Sequence, residues 1–149
     1  GNFAPKIAAR TTGEYIFNSE ILIFNEMGVL QSKIVADTAG GLGGPMFSID
    51  GTKLLFTRDK DHFDAIDGRQ INSEMYVKDL ATGQNVAQPS FLKPAGFNDL
   101  DARFTPDGAK VFFTNTSNDG ISPRSLWTAN LDGSTRTKLF DDAEMGDWR

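Results

Sequence analysis

Apolar residues in this chain fall in short runs separated by Gly-containing turns, without the spacing of an amphipathic helix. Leu54-Leu55-Phe56 and Val111-Phe112-Phe113 are continuous rather than alternating. That pattern predicts strands covered on both faces. Each run follows an Asp-Gly pair, Asp50-Gly51 or Asp107-Gly108. Asp can hydrogen-bond its own backbone and Gly accepts a positive φ, so each pair predicts a tight turn between two strands.

These two segments are copies of one another. Residues 47–57 align with 104–114 at an offset of 57, and seven of the eleven positions are identical or exchange only Ser for Thr. In each copy an apolar strand enters at the Phe, the Asp-Gly turns it, and a second strand leaves through Lys. Third strands are predicted at Ile21 to Met27, Met75 to Leu80 and Leu126 to Leu131. Fourth strands are predicted at Gln31 to Val35, Val86 to Leu92 and Thr135 to Phe140. Near the start, Thr12 to Phe17 stands where the Asp-Gly hairpin would be. The chain thus divides into units of roughly 1–43, 44–100 and 101–149, each expected to offer four antiparallel strands.

The run Phe104-Thr105-Pro106-Asp107-Gly108-Ala109-Lys110 resembles the repeat of the TolB-like β-propellers, relatives of the WD40-type repeats. Phe47 to Lys53 keeps the pattern apart from the Pro, and the first unit departs from it by lacking the Asp. The resemblance implies an all-β fold of about three four-stranded propeller blades, and a scaffold that engages proteins or small polar ligands in the periplasm or cell envelope. It speaks to fold more than to function, because the shared residues make turns. Propellers usually close with 4–8 blades. Three blades therefore belong to a longer propeller, or close by association, as when two copies make six blades around a two-fold axis. Asp147-Trp148-Arg149 aligns with Asp101-Ala102-Arg103, so the sequence stops where a further blade would begin.

In a blade of this connectivity, the second-to-third and fourth-to-next-first connections share one rim. That rim would gather residues 58–73, 115–125, 37–44, 93–101 and 141–147. Loops grouped on a rigid scaffold are where binding concentrates. The candidate ligand-binding residues are Arg58, Asp59, Asp61, His62, Asp99, Asp101, Arg124 and Asp147. Asp59, Asp61, Asp64 and Asp67 suggest calcium, but Phe63 stands where a third acidic ligand would be and no Glu closes the loop, so the expectation is a solvated acidic loop without a cofactor, with calcium as the alternative. Asp99, Asp101 and Asp147 fall near inner-strand entries, where they would bind a cation or a basic peptide, serve as a carboxylate pair, or hydrogen-bond backbone amides of neighbouring blades.

Composition narrows the chemistry. There is no Cys, which removes disulfides, thiol nucleophiles and Cys-ligated zinc. His62 is the only His, so a multi-His metal centre within one chain is excluded. No Gly-x-Ser-x-Gly elbow presents a Ser to it. Gly40 to Gly44 is followed by no Lys-Ser/Thr, and reads as a connector rather than a phosphate loop. Trp127 and Trp148 read as blade packing rather than sugar platforms. The net charge is -5 with no basic run, which argues against nucleic acid, and no apolar stretch is long enough to span a membrane. The expectation is a non-catalytic binding scaffold. Its rivals are the propeller domain of a larger hydrolase or carbohydrate-active enzyme with catalytic groups outside this chain, and a self-assembling unit whose partner is itself.

Overall fold

The computed structural model describes residues 5–11, 19–35, 41–59, 62–64 and 68–144, and at 62–64, 68–70 and 85–87 it describes the backbone course alone. Among these residues the chain is all-β, with three larger antiparallel sheets and one small hairpin. The first sheet holds β1 (Lys6–Arg10), β2 (Ile21–Asn25) and β3 (Leu30–Ile34). The second holds β4 (Leu42–Phe47), β5 (Lys53–Asp59), β8 (Ser73–Asp79) and β9 (Asn85–Ala87). The third holds β10 (Phe97–Phe104), β11 (Lys110–Ser117), β12 (Ser125–Asn130) and β13 (Thr137–Asp141). The hairpin of β6 (His62–Asp64) and β7 (Gly68–Gln70) lies within the β5–β8 connection, where the sequence predicts only a loop. The expected fourth strand at 86–92 is cut short: β9 ends at Ala87 and Pro89–Leu92 forms a turn of 3-10 helix. Pro89 has no amide to continue a ladder. Thr12 to Phe17, which stands where the Asp-Gly hairpin would be, lies outside the described residues.

The repeat seen in the sequence is a repeat in space. In both four-stranded sheets the first turn is built the same way. The Ser48 hydroxyl donates to Asp50 at 2.6 Å and accepts the Lys53 amide at 2.9 Å, while Asp50 also accepts the Thr52 amide. Thr105 and Asp107 make the same bonds with Lys110 and Ala109. The inner strands also share a bulge. Two residues of β4, Gly44 and Pro45, oppose one of β5, and Asp101 and Ala102 of β10 likewise oppose one of β11. Gly44 has φ +58° and Asp101 has φ +52°, so the bulge demands the left-handed region at both positions. The inner strands start earlier than the expected unit boundaries, at Leu42 and Phe97.

The second sheet lies between the other two. From β5, Leu54 and Phe56 pack with Ile21, Ile23 and Ile34 of the first sheet. Leu55 faces the opposite way, and with Met75 and Val77 of β8 it meets Ala102, Phe104, Val111, Phe113 and Ala129 of the third. Because successive side chains of a strand point to opposite faces, an uninterrupted Leu-Leu-Phe run is what a sheet between two apolar neighbours requires. Leu54 and Leu55 are both fully buried, each worth about 1.5–3 kcal/mol of hydrophobic transfer. Polar ties cross the same seams. The buried Ser19 hydroxyl donates to the Leu42 carbonyl at 2.9 Å and accepts the Leu42 amide at 2.7 Å. Asn98 accepts the Ser73 amide at 2.8 Å. No described helix is long and apolar enough to cross a membrane.

Candidate functional site

Each four-stranded sheet is a meander, so its connections sort to two ends. The tight turns at 48–52 and 80–84 lie together, tied by the Leu80 amide donating to the Thr52 carbonyl at 3.0 Å. The opposite end carries the longer connections. There the loop ends of the three sheets meet: Ser19 binds Leu42, Ser73 binds Asn98, and the Lys93 ammonium donates to Asn72, the Ser73 carbonyl and the Phe97 carbonyl at 2.7–3.0 Å.

Clefts open at this end among the described residues, and two of them matter here. The first, about 290 Å³, draws on all three sheets: Arg10 from the first, Gly43, Thr57 and Asp59 from the second, and Leu100 from the third, with Ile71 at its edge. Arg10 closes β1 and lies over Gly43, whose missing side chain leaves that space open: a β-carbon there would sit 3.5 Å from an Arg10 guanidinium nitrogen. Thr57 donates to the Gly43 carbonyl at 3.1 Å, and Asp59 accepts the Asn72 amide at 2.9 Å. Arg10 has no hydrogen-bond or ion-pair partner among the described residues. The second cleft, about 360 Å³, lies between residues 88–96 and Asn118, with Glu74 and Gln88 on its floor. Glu74 accepts from the Tyr76 phenol at 2.9 Å and from Gln88 at 3.1 Å. Burial first, and then Glu74, push the Tyr76 phenol up to about 12, so it stays a donor at neutral pH.

Of the sequence candidates whose side chains are described, Asp59 alone lines the first cleft. Arg58 stands next to it on β5, opposite Leu42 on one side and Glu74 on the other. His62 opens β6, and its side chain lies outside what is described. Asp61 and Asp147 lie outside the described residues, as does Trp148. Arg124 is exposed and ion-paired with Glu144.

Asp99 and Asp101 are two residues apart on β10, yet they face different surroundings: Asp99 pairs in register with Asn115 of β11, while Asp101 falls in the bulge. Asp101 is exposed. Asp99 is fully buried. It pairs with Arg136 at 2.8 and 3.1 Å and accepts from Ser90 at 3.0 Å and Asn115 at 2.9 Å. Its partners are side chains, not the backbone amides of a neighbouring sheet. The Ser90 hydroxyl in turn accepts the Met75 amide, so this network joins the second and third sheets. No group of three or more His, Asp or Glu comes together as a metal site among the described residues.

Sequence reasoning missed two features of this end. One was legible. Ser117-Asn118-Asp119-Gly120-Ile121-Ser122 repeats the turn pattern, and the same bonds form: Ser117 donates to Asp119, and Ser117 accepts the Ser122 amide at 2.9 Å. The segment 115–125 is therefore a built turn rather than an irregular loop. The other, Arg10, carries no local signal, because its importance comes from strands more than 30 residues away in the chain. No protein-family model matches the chain, and no curated protein matches it either.

Proposed function

We propose that the three sheets are successive blades of a β-propeller, of the kind the TolB-like repeat resembles, and that the chain is a non-catalytic scaffold binding a ligand at its loop-bearing end. The congruence of two sheets at an offset of 57 residues supports the blade reading, since both turn and bulge recur in register. The middle sheet supports it too, with both faces filled by neighbouring sheets as stacked repeats require.

The observation that carries the binding reading is the first cleft. It is assembled from the loop ends of all three sheets, it mixes apolar and charged walls, and it exposes the uncommitted guanidinium of Arg10. A few convergent polar groups in an apolar-walled hollow are what ligand sites present. The test is a fragment library screened by thermal shift against the wild type and Gly43→Val. A ligand that binds only the folded state raises the melting temperature. The valine side chain would extend into the space beside Arg10 and Thr57. Fragments that stabilise the wild type but not Gly43→Val support the reading. A library without hits, or hits that stabilise both proteins equally, would overturn it.

A further inference from the structure

We infer that the second cleft is a further binding site, one that takes the ring of a neutral sugar; the inference does not depend on what fills the first cleft. At about 360 Å³ the cleft falls in the range of small-molecule sites, roughly 300–1,000 Å³, and suits a ligand of one or two rings.

The charges of this cleft are spent inside the protein. The Glu74 carboxylate accepts from Tyr76 and Gln88, and the Lys93 ammonium donates to Asn72 and to the carbonyls of Ser73 and Phe97. These bonds fix the neighbouring carboxamides. With Lys93 on its oxygen, Asn72 keeps its NH2 group to offer; with Glu74 on its nitrogen, Gln88 keeps its C=O. Neither of those two groups has a partner among the described residues. Asn118 lines the cleft as well. Its backbone amide donates to the Gly96 carbonyl at 2.8 Å, yet its side chain has no partner among the described residues and its Oδ1 is buried. A buried oxygen without a donor is costly. A ligand that draws the carboxamide round about its broad χ2 removes that cost.

Phe91 lines the same cleft and is 74% exposed. The turn that carries it, Pro89–Leu92, is anchored: Pro89 and Ser90 are buried, the Ser90 hydroxyl donates to Asp99 and accepts the Met75 amide, and Arg136 donates to the Pro89 carbonyl at 3.3 Å. An aromatic ring held in water by a rigid turn is an apolar platform that costs little to order on binding. A sugar ring matches these groups together. Each hydroxyl both donates and accepts, so one ring can meet the Asn72 NH2, the Gln88 carbonyl and the Asn118 carboxamide. Its C–H face is weakly electropositive and suits the negative face of Phe91.

Nuclear magnetic resonance titration of isotope-labelled protein tests this, with the methyl glycosides of D-glucose, D-galactose, D-mannose and N-acetyl-D-glucosamine as probes and the side-chain NH2 signals of Asn72, Gln88 and Asn118 as the readout. At least one glycoside should shift these signals saturably at millimolar concentration. Charged relatives, D-glucuronate and D-glucosamine, should bind no more tightly. Phe91→Ala should weaken the glycoside about two- to tenfold, the worth of one aromatic contact. Asn118→Ala should weaken it about two- to tenfold, the net worth of one hydrogen bond. The same substitution should leave the urea midpoint of the free protein unchanged or raised, because it removes an unsatisfied group, whereas a purely structural side chain would lower it on removal. The assignment is wrong if no glycoside gives a saturable shift, if the charged relatives bind more tightly, or if binding survives both substitutions unchanged. Saturation by N-acetylglycine N-methylamide in preference to every glycoside would also overturn it, and would mark the cleft as a peptide site.

Discussion

Replacing Arg136 with methionine should destabilise the protein far more than removing any exposed charge. Asp99 is fully buried and the Arg136 side chain is 10% exposed. Two of the four hydrogen bonds on the Asp99 carboxylate come from Arg136, and the guanidinium also lies 4.7 Å from the centre of the Phe113 ring. Methionine keeps much of the apolar stem but leaves the carboxylate without its counter-charge. Breaking a buried pair by removing one partner costs about 3–5 kcal/mol, because the remaining charge is neither solvated nor neutralised. For a chain of this size each kcal/mol lowers the melting temperature by about 2–4 °C, which gives a drop of roughly 6–20 °C. Lys33→Met supplies the contrast. It cuts an exposed pair with Glu20, the two side chains 55% and 30% exposed, whose loss is worth about 0–1 kcal/mol. Urea titration followed by circular dichroism measures both. The double variant Asp99→Asn/Arg136→Met should recover part of the loss, since it removes the stranded charge along with its partner. A cost for Arg136→Met below about 1 kcal/mol, comparable with Lys33→Met, would show that the pair is not the buried lock described here.

Gly133→Ala should loosen the same seam: the new β-carbon would lie 2.7 Å from the Pro89 carbonyl oxygen, and φ there is +85°, so a loss of about 1–3 kcal/mol is expected by urea titration. Asp101→Gly should raise stability by about 1 kcal/mol, by relieving a left-handed residue where the matching bulge already has Gly44, and an unchanged or lowered urea midpoint would contradict this. Acid should weaken the turns. The Ser48 hydroxyl, followed by the Thr52 amide and hydroxyl, holds Asp50 down to about 2 from an ordinary 3.8. Because the folded value is the lower one, the stabilisation is full above 3.8 and is lost as pH falls towards 2. Asp50→Asn should therefore flatten the pH dependence of the urea midpoint across that window, and a profile parallel to the wild type would refute the assignment.

The sequence determined most of what is local. Asp-Gly turns, apolar runs and the offset of 57 residues are carried by neighbouring positions, so the all-β class and most strands could be read directly. Backbone chemistry within a few residues dictates a turn: Ser48, Asp50 and Lys53 close theirs without outside help. The continuous Leu54-Leu55-Phe56 run even announced that its sheet would be covered on both faces.

Tertiary structure alone decided which charges are available. Asp99 and Asp101 look equivalent as letters, yet the fold buries one against Arg136, 37 positions along the chain, and leaves the other exposed at a strained bulge. Arg10 became part of a cleft only because the loop ends of three sheets converge beside it. A side chain's chemistry depends on its solvation and its partners, and these are set by contacts between segments far apart in sequence, which no local pattern encodes.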